Sequence, residues 1–307
     1  MKHRPLGFTG FQASELGIGD LADRAIPPEE CVATLHRAMS HGLNVIDTAP
    51  GYENGYSEEI VGRALQGRRE KMFVIDKIDQ LDAPVEPQID VSLKTLNLDS
   101  VDLFAFHAVN ELAAWAKLAA PGGGLEQLAR CITLGKARFR GLSSHHPDVL
   151  RAALQSGLCD VVMFPVGPFV ATRYVEEILP LARKQGVGTV CFKTFGAGKL
   201  LGDTTGYNQP LTVRPRGKFS SGGKPVAGEA QLPCLTVAEC LHYTLTLAPD
   251  VALLGLSFPN EQDAAFQAYR EFKPLSPETM QNIRLRAALA IAGKGDCWWN
   301  PASPFAN

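Results

Sequence analysis

Apolar residues along this chain fall into two alternating rhythms. Short runs have every second position apolar, and longer stretches have apolar positions three and four apart, the spacings of strands and of amphipathic helices. Strand-like runs cover residues 15–19, 43–47, 72–78, 101–107, 139–142, 160–164, 188–193 and 251–255. Helical stretches lie between them: 27–40 opening on Pro27-Pro28-Glu29-Glu30, a helix from Ser57 as N-cap with Glu58 and Glu59 behind it, 84–96, 125–134, one from Pro147, and 236–247. Asn260 is placed to cap an eighth helix, and the tail from Pro274 adds another.

The strand rhythm carries polar groups to the ends of apolar faces. Leu43, Val45 and Asp47 share one face, Phe73, Ile75 and Lys77 another, and Val101, Leu103, Ala105 and His107 a third. The three polar residues recur at about 30 residues, the length of one strand-plus-helix unit. A lysine at the inward end of an apolar strand is costly unless a carboxylate or ligand pairs with it, and Asp47 is the natural partner. Pro50-Gly51 breaks the chain after Asp47 and puts Tyr52 on the turn. Alone, each residue has an ordinary explanation, such as a turn carboxylate, a packed phenol or a core histidine. Acid, base, phenol and imidazole at matching ends of three consecutive strands point instead to a catalytic site.

The segments that carry these residues, Asp47-Thr-Ala-Pro-Gly-Tyr52 with Asn54-Gly-Tyr-Ser-Glu-Glu-Ile-Val-Gly-Arg-Ala-Leu65, Lys77 after Phe-Val-Ile-Asp, and Asp102-Leu-Phe-Ala-Phe-His107, resemble the aldo-keto reductase superfamily. The likeness extends from Gly17-Ile-Gly19 to Leu254-Gly-Leu-Ser-Phe-Pro-Asn-Glu-Gln262. It implies an α/β fold: a single (β/α)8 TIM barrel over residues 1–307, with an N-terminal hairpin at 1–14 closing the lower end and long loops at the C-terminal face. It also implies Tyr52 as proton donor, Lys77 and Asp47 as its electrostatic support, and His107 as the group that orients the carbonyl. An unperturbed phenol titrates near about 10, so proton transfer near neutrality needs a nearby cation, which Lys77 supplies.

The resemblance implies a nicotinamide cofactor, NADP(H) with NAD(H) as the alternative, contacted by Gly19, Asp20, Asp47, Ser143, Ser144, Met163, Phe192, Lys193, Gly196, Gly198, Lys199, Ser257, Asn260 and Gln262. Several of these depart from the family pattern. Ser144 stands where an Asn is usual beside Ser143, Met163 or Phe164 where a Gln is usual, and Phe192-Lys193 where a stacking Tyr is usual. Leu256 and Gln262 replace the Lys and Arg that hold a 2′-phosphate, so weak discrimination between NADPH and NADH is expected. Residues 196–233, rich in Gly, Pro and Ser, are expected to cover the cofactor, with Gly196-Ala-Gly198-Lys199 at the phosphates. The tail at 293–307 is expected near the substrate pocket. There Trp298 and Trp299 point apart, one anchoring the tail and the other facing a ligand above Tyr52 and His107.

Composition narrows the picture. With 307 residues, 45% hydrophobic and 20% charged, the chain can bury a large core, and a net charge of −2 argues against a partner held by phosphate contacts, so no nucleic acid is expected. Seven cysteines without CxxC spacing read as reduced thiols of a cytoplasmic protein. No run approaches a membrane span, and the N-terminus lacks the apolar stretch of a signal peptide. His145-His146 invites a metal reading, but neighbours point apart and no ligand cluster or HExxH helix accompanies them. Two further readings stay open: a Schiff-base lyase or isomerase using Lys77 or Lys193, and a non-catalytic nicotinamide-binding subunit. The expected activity is reversible reduction of an aldehyde or ketone to an alcohol.

Overall fold

The computed structural model of the protein describes residues 1–19, 22–201, 233–294 and 297–300. Eight strands close into a parallel barrel. In chain order they are β3 (Leu16–Gly19), β4 (Val45–Asp47), β5 (Phe73–Ile78), β6 (Val101–Phe106), β7 (Ala137–Ser143), β8 (Val161–Pro165), β9 (Gly188–Phe192) and β10 (Val251–Leu254). The last strand pairs with both β9 and β3, so no edge is left open. Around the barrel lie α1 (Pro28–Ser40), α2 (Tyr56–Leu65), α3 (Val85–Leu96), α4 (Leu112–Ala119), α5 (Gly124–Thr133), α6 (Pro147–Ser156), α7 (Leu179–Gln185), α8 (Val237–Leu247) and α9 (Pro259–Arg270), with α10 (Pro277–Ile291) in the tail.

Alternation along the strands sorts the core into two layers. Val45, Phe73, Ile75, Leu103, Ala105, Val161, Met163, Val190, Val251 and Leu253 fill the barrel interior. Their neighbours, among them Ile46, Val74, Phe104 and Val162, pack outward against the helices. Both faces are therefore buried, as a parallel barrel requires. Burial of each such side chain contributes roughly 1.5–3 kcal/mol.

Ahead of the barrel, β1 (His3–Pro5) and β2 (Gln12–Ser14) form an antiparallel hairpin, with His3 opposite Ser14. Leu6 and Ala13 join the interior cluster, and the Phe11 ring lies 5.2 Å from that of Phe73. The hairpin thus stops the lower end, as the sequence suggests.

Three local features differ from the sequence reading. The connection after His107 contains a helix of its own, α4, ahead of α5. Gly55 occupies the N-cap position of α2, in the left-handed conformation, while the Ser57 hydroxyl accepts a hydrogen bond from Thr48 Oγ1 at 3.0 Å. Phe258 occupies the N-cap position of α9, where Pro259 opens the helix and Asn260 falls inside the first turn. Proline's fixed φ outweighs the capping preference of the polar residue behind it. All seven cysteines are free thiols. Among the described residues no helix is long and apolar enough to cross a membrane.

Candidate active site

The C-terminal ends of β4, β5 and β6 bring the four expected residues together. Asp47 ends β4 and Lys77 lies on neighbouring β5, both almost fully buried, and the Lys77 ammonium donates to Asp47 Oδ1 and to the carbonyl of Thr48 at 3.0 Å. Burial pushes the Asp47 carboxyl above the usual carboxylate range despite the attraction of Lys77, as expected for a charge withdrawn from water. Lys77 Nζ stands 5.6 Å from the centroid of the Tyr52 ring, and the His107 ring meets that phenol edge-on at 5.7 Å. Tyr52 therefore sits between a cation and an imidazole.

The turn that presents Tyr52 is held in an uncommon shape. Glu53, Asn54 and Gly55 all have φ between 50° and 81°, a region costly for residues with a Cβ. The Arg24 side chain donates from Nε to the Glu53 carbonyl at 2.9 Å and from Nη2 to the Asn54 carbonyl at 3.1 Å. These bonds to the two strained carbonyls offset part of that cost.

Asp79 completes the arrangement, although it was not among the residues picked out by sequence. Its Oδ1 lies 2.6 Å from His107 Nδ1 and its Oδ2 accepts from the Gly51 amide at 2.8 Å. Burial would raise its pKa, but the bonds from His107 and Gly51 outweigh that and hold the carboxyl below its ordinary range. The parity that selects Ile75 and Lys77 also selects Asp79, so a signal was present in the sequence.

On the cofactor side, the residues present fit a dinucleotide. A Cβ added at Gly19 would come 3.3 Å from Asp47 Oδ2, so glycine keeps clear the space beside that carboxylate. Gly196, Ala197 and Gly198 have left-handed φ at the start of a short 3-10 segment (Gly196–Leu201), where the Gly196 and Gly198 amides donate to the carbonyls of Lys193 and Phe195 at 2.9 Å. Lys199 within it is buried, and the Lys294 ammonium braces its carbonyl at 2.8 Å. Asp20, and residues 202–232 of the covering loop expected at 196–233, lie outside the described residues.

Ser143 Oγ accepts from the Ala108 amide at 2.8 Å. Ser144 is buried with its hydroxyl engaged by the His146 amide at 3.0 Å. Met163 and Phe192 turn into the barrel, whereas Phe164 turns outward and stacks on Tyr174 at 6.2 Å, which removes it as a stacking platform for a ligand. Ser257 and Asn260 are accessible at the last loop. Gln262 is fully buried there, its amide donating to the carbonyls of Thr34 and Leu256 and accepting from Arg37, so that group serves packing between α9 and α1.

A family model for the aldo/keto reductase family matches residues 14–284. The chain belongs to that family. It is 28% identical over 235 residues to the "NADH-specific methylglyoxal reductase" of Escherichia coli, covering 67% of this chain and 71% of that one. In fold it is similar to aldo-keto reductase AKR11C1 from Bacillus halodurans (TM-score 0.70, 23% identity, 93% of this chain and 96% of the other). It is likewise similar to an aldo-keto reductase from Klebsiella pneumoniae in complex with NADPH (TM-score 0.69, 20% identity, 93% and 95%). Its class is therefore that of an NAD(P)-dependent oxidoreductase.

The tail of this aldo-keto reductase divides its two indoles. Trp299 is fully buried, its Nε1 donating to the Phe169 carbonyl at 2.9 Å and its own carbonyl accepting from Tyr174 at 3.0 Å. Trp298 is 55% exposed and stands with its ring 5.1 Å from Lys193 Nζ and 5.6 Å from Lys199 Nζ. The exposed indole thus lies beside the loop after β9 and edge-on to Trp299, with ring centroids 4.9 Å apart.

Proposed function

We propose that this reductase converts an aldehyde or ketone to the alcohol, with Tyr52 delivering the proton. The observation that carries this reading is the buried Lys77–Asp47 pair beneath the Tyr52 ring, with His107 across it. As the carbonyl carbon accepts hydride, negative charge builds on the oxygen, and the Tyr52 hydroxyl transfers its proton there to complete the alcohol. Lys77 stabilises the phenolate left behind, and Asp47 keeps the ammonium in place until solvent restores the proton. His107, held by Asp79, presents Nε2 to the same oxygen and fixes the direction of the carbonyl. NADPH or NADH, when bound, supplies the hydride.

Gly19, Asp47, Ser143, Phe192, Lys193, Gly196, Gly198 and Lys199 are the described residues we assign to the cofactor, with Ser257 and Asn260 at the last loop. Trp298 is assigned to the pocket rim. The Schiff-base reading loses ground at Lys77, because its ion pair with Asp47 leaves no free amine at that strand end.

The experiment is a panel of aldehydes and ketones, methylglyoxal among them, followed by nicotinamide absorbance with each reduced cofactor. Turnover with at least one carbonyl is expected. Cofactor binding with no turnover across the panel would instead establish a non-catalytic binding subunit.

A further inference from the structure

Two carboxyls meet behind the strand that carries Lys77. Asp76 and Lys77 are consecutive on β5, so their side chains leave the sheet on opposite faces. Asp76 is fully buried, and Glu58, in the first turn of α2, is 2% exposed. The two side chains are hydrogen-bonded to each other, and Ser92 on α3 lies within hydrogen-bonding reach of Glu58. Asp76 Oδ1 accepts from the Lys77 amide at 2.8 Å. Glu58 Oε1 and Asp76 Oδ2 are sealed from solvent, and among the described residues no other group supplies either of them with a donor. Two ionised carboxylates offer only acceptors, so a bond between them requires that one oxygen carry a hydrogen. The surroundings agree: burial raises both carboxyls above their ordinary range, the Asp79 carboxylate adding to the shift at Glu58 and the Glu58 charge to that at Asp76, while the Lys77 ammonium opposes it at Asp76.

The pair joins the two segments that present the proposed proton donor and its cation. Helix α2 begins where the Tyr52 turn ends, the Ser57 amide donating to the Tyr52 carbonyl at 3.4 Å and the Tyr56 amide to the Glu53 carbonyl at 3.3 Å. No side chain caps that helix start. The Thr48–Ser57 hydrogen bond holds it to the chain after β4, and the Glu58–Asp76 bond holds it to β5. We propose that Glu58 and Asp76 hold one proton between them and act as positioning residues for Tyr52 and Lys77. With the proton in place the bond ties the first turn of α2 to β5 and sets the phenol over the ammonium. Without it two buried carboxylates repel, the tie opens, and Tyr52 loses its register with Lys77. The role in catalysis rests on the reductase reading above, whereas the shared proton does not.

Infrared spectroscopy tests the proton and kinetics test the positioning. At about pH 7 an ordinary carboxyl, which titrates near about 4, is ionised, so a carboxylic-acid C=O stretch reports a held proton. The parent-minus-Glu58→Gln difference spectrum is expected to show that band, because a glutamine amide supplies the missing donor and lets Asp76 ionise; its absence overturns the shared proton. Glu58→Ala cuts the tie. It is expected to lower kcat roughly ten- to a hundredfold, the scale of a small misplacement of a reacting group, with NADPH affinity little changed, and Glu58→Gln is expected to recover most of that loss. A parental kcat in Glu58→Ala overturns the positioning role. Should Glu58→Ala not fold, the ratio of kcat in Glu58→Gln to kcat in the parent decides, followed from about pH 7 to about pH 10, where titrations common to both enzymes cancel. A ratio that rises with pH supports the tie, and a flat one overturns it. If the parent reduces no carbonyl with either cofactor, the reductase reading falls and takes the positioning role with it, while the infrared band still decides the proton.

Discussion

Asp79 Oδ1 lies 2.6 Å from His107 Nδ1, and this contact fixes which nitrogen of the imidazole is left for a ligand. An ionised carboxylate can only accept, so Nδ1 carries a hydrogen and Nε2 is the atom left for the carbonyl oxygen in the proposed mechanism. Asp79→Asn breaks that rule, because an amide both donates and accepts and admits the other tautomer. The expected result is a fall in kcat/KM of about ten- to a hundredfold, the loss of one charge-assisted bond, with NADPH affinity little altered. Steady-state kinetics and a cofactor titration on the purified variant check it.

Tyr52→Phe removes the phenol that the proposed mechanism uses as proton donor and keeps the ring that packs beside His107. Turnover is expected to fall by at least about two orders of magnitude, the usual scale for positioned acid catalysis, while the cofactor dissociation constant barely moves. Near-native turnover with chemistry shown to be rate-limiting would remove Tyr52 from the role.

Asp76 and Glu58 form a buried acidic pair on the outer side of the strand that carries Lys77. Burial first, then the charge of Glu58, raises the Asp76 pKa well above its ordinary value of 3.8. An acid whose folded pKa is raised holds its proton in the native state, so it lowers stability progressively as pH climbs from the unfolded value toward the folded one. Asp76→Asn keeps the acceptor for the Lys77 amide, now 2.8 Å from Oδ1, and removes that penalty. Denaturant midpoints should show a gain of at least ~1 kcal/mol at pH 8, about one pKa unit's worth, that shrinks toward pH 5. An equal gain at both values would mean that ionisation is not the cause.

Cofactor preference should be mild. Leu256 and Gln262 are both buried, and the exposed Asn260 offers a 2′-phosphate a neutral donor at best. Affinities for NADPH and NADH are expected to differ by less than about a thousandfold, or roughly 4 kcal/mol, and parallel titrations decide.

The two tail indoles should separate in their effects. Trp299→Ala empties a fully buried site and loses the bond to the Phe169 carbonyl, with an expected cost of about 3–5 kcal/mol. Trp298→Ala should leave the melting temperature nearly unmoved and alter ligand affinities, since that indole is exposed beside Lys193 and Lys199. Calorimetry on both variants distinguishes the roles.

Strand parity made most of this site legible in the sequence. A period of two in an apolar run fixes the side on which Asp47, Lys77 and His107 emerge, and no tertiary knowledge is needed to see it. Asp79 obeys the same parity but was hidden by a competing explanation: an aspartate just past a strand passes for a turn residue. Gln262 failed in the opposite direction. Its chemistry suits a ligand, yet its burial depends on how α9 packs on α1, a contact between segments over two hundred residues apart. Helix openings were least legible, because Gly55 and Pro259 set backbone angles that outweigh the capping preference of Ser57 and Asn260.

The hairpin beneath the barrel has a consequence for traffic. With Leu6 and Ala13 wedged into the lower end and packed side chains filling the barrel above them, a ligand that meets Tyr52 comes and goes by the upper end.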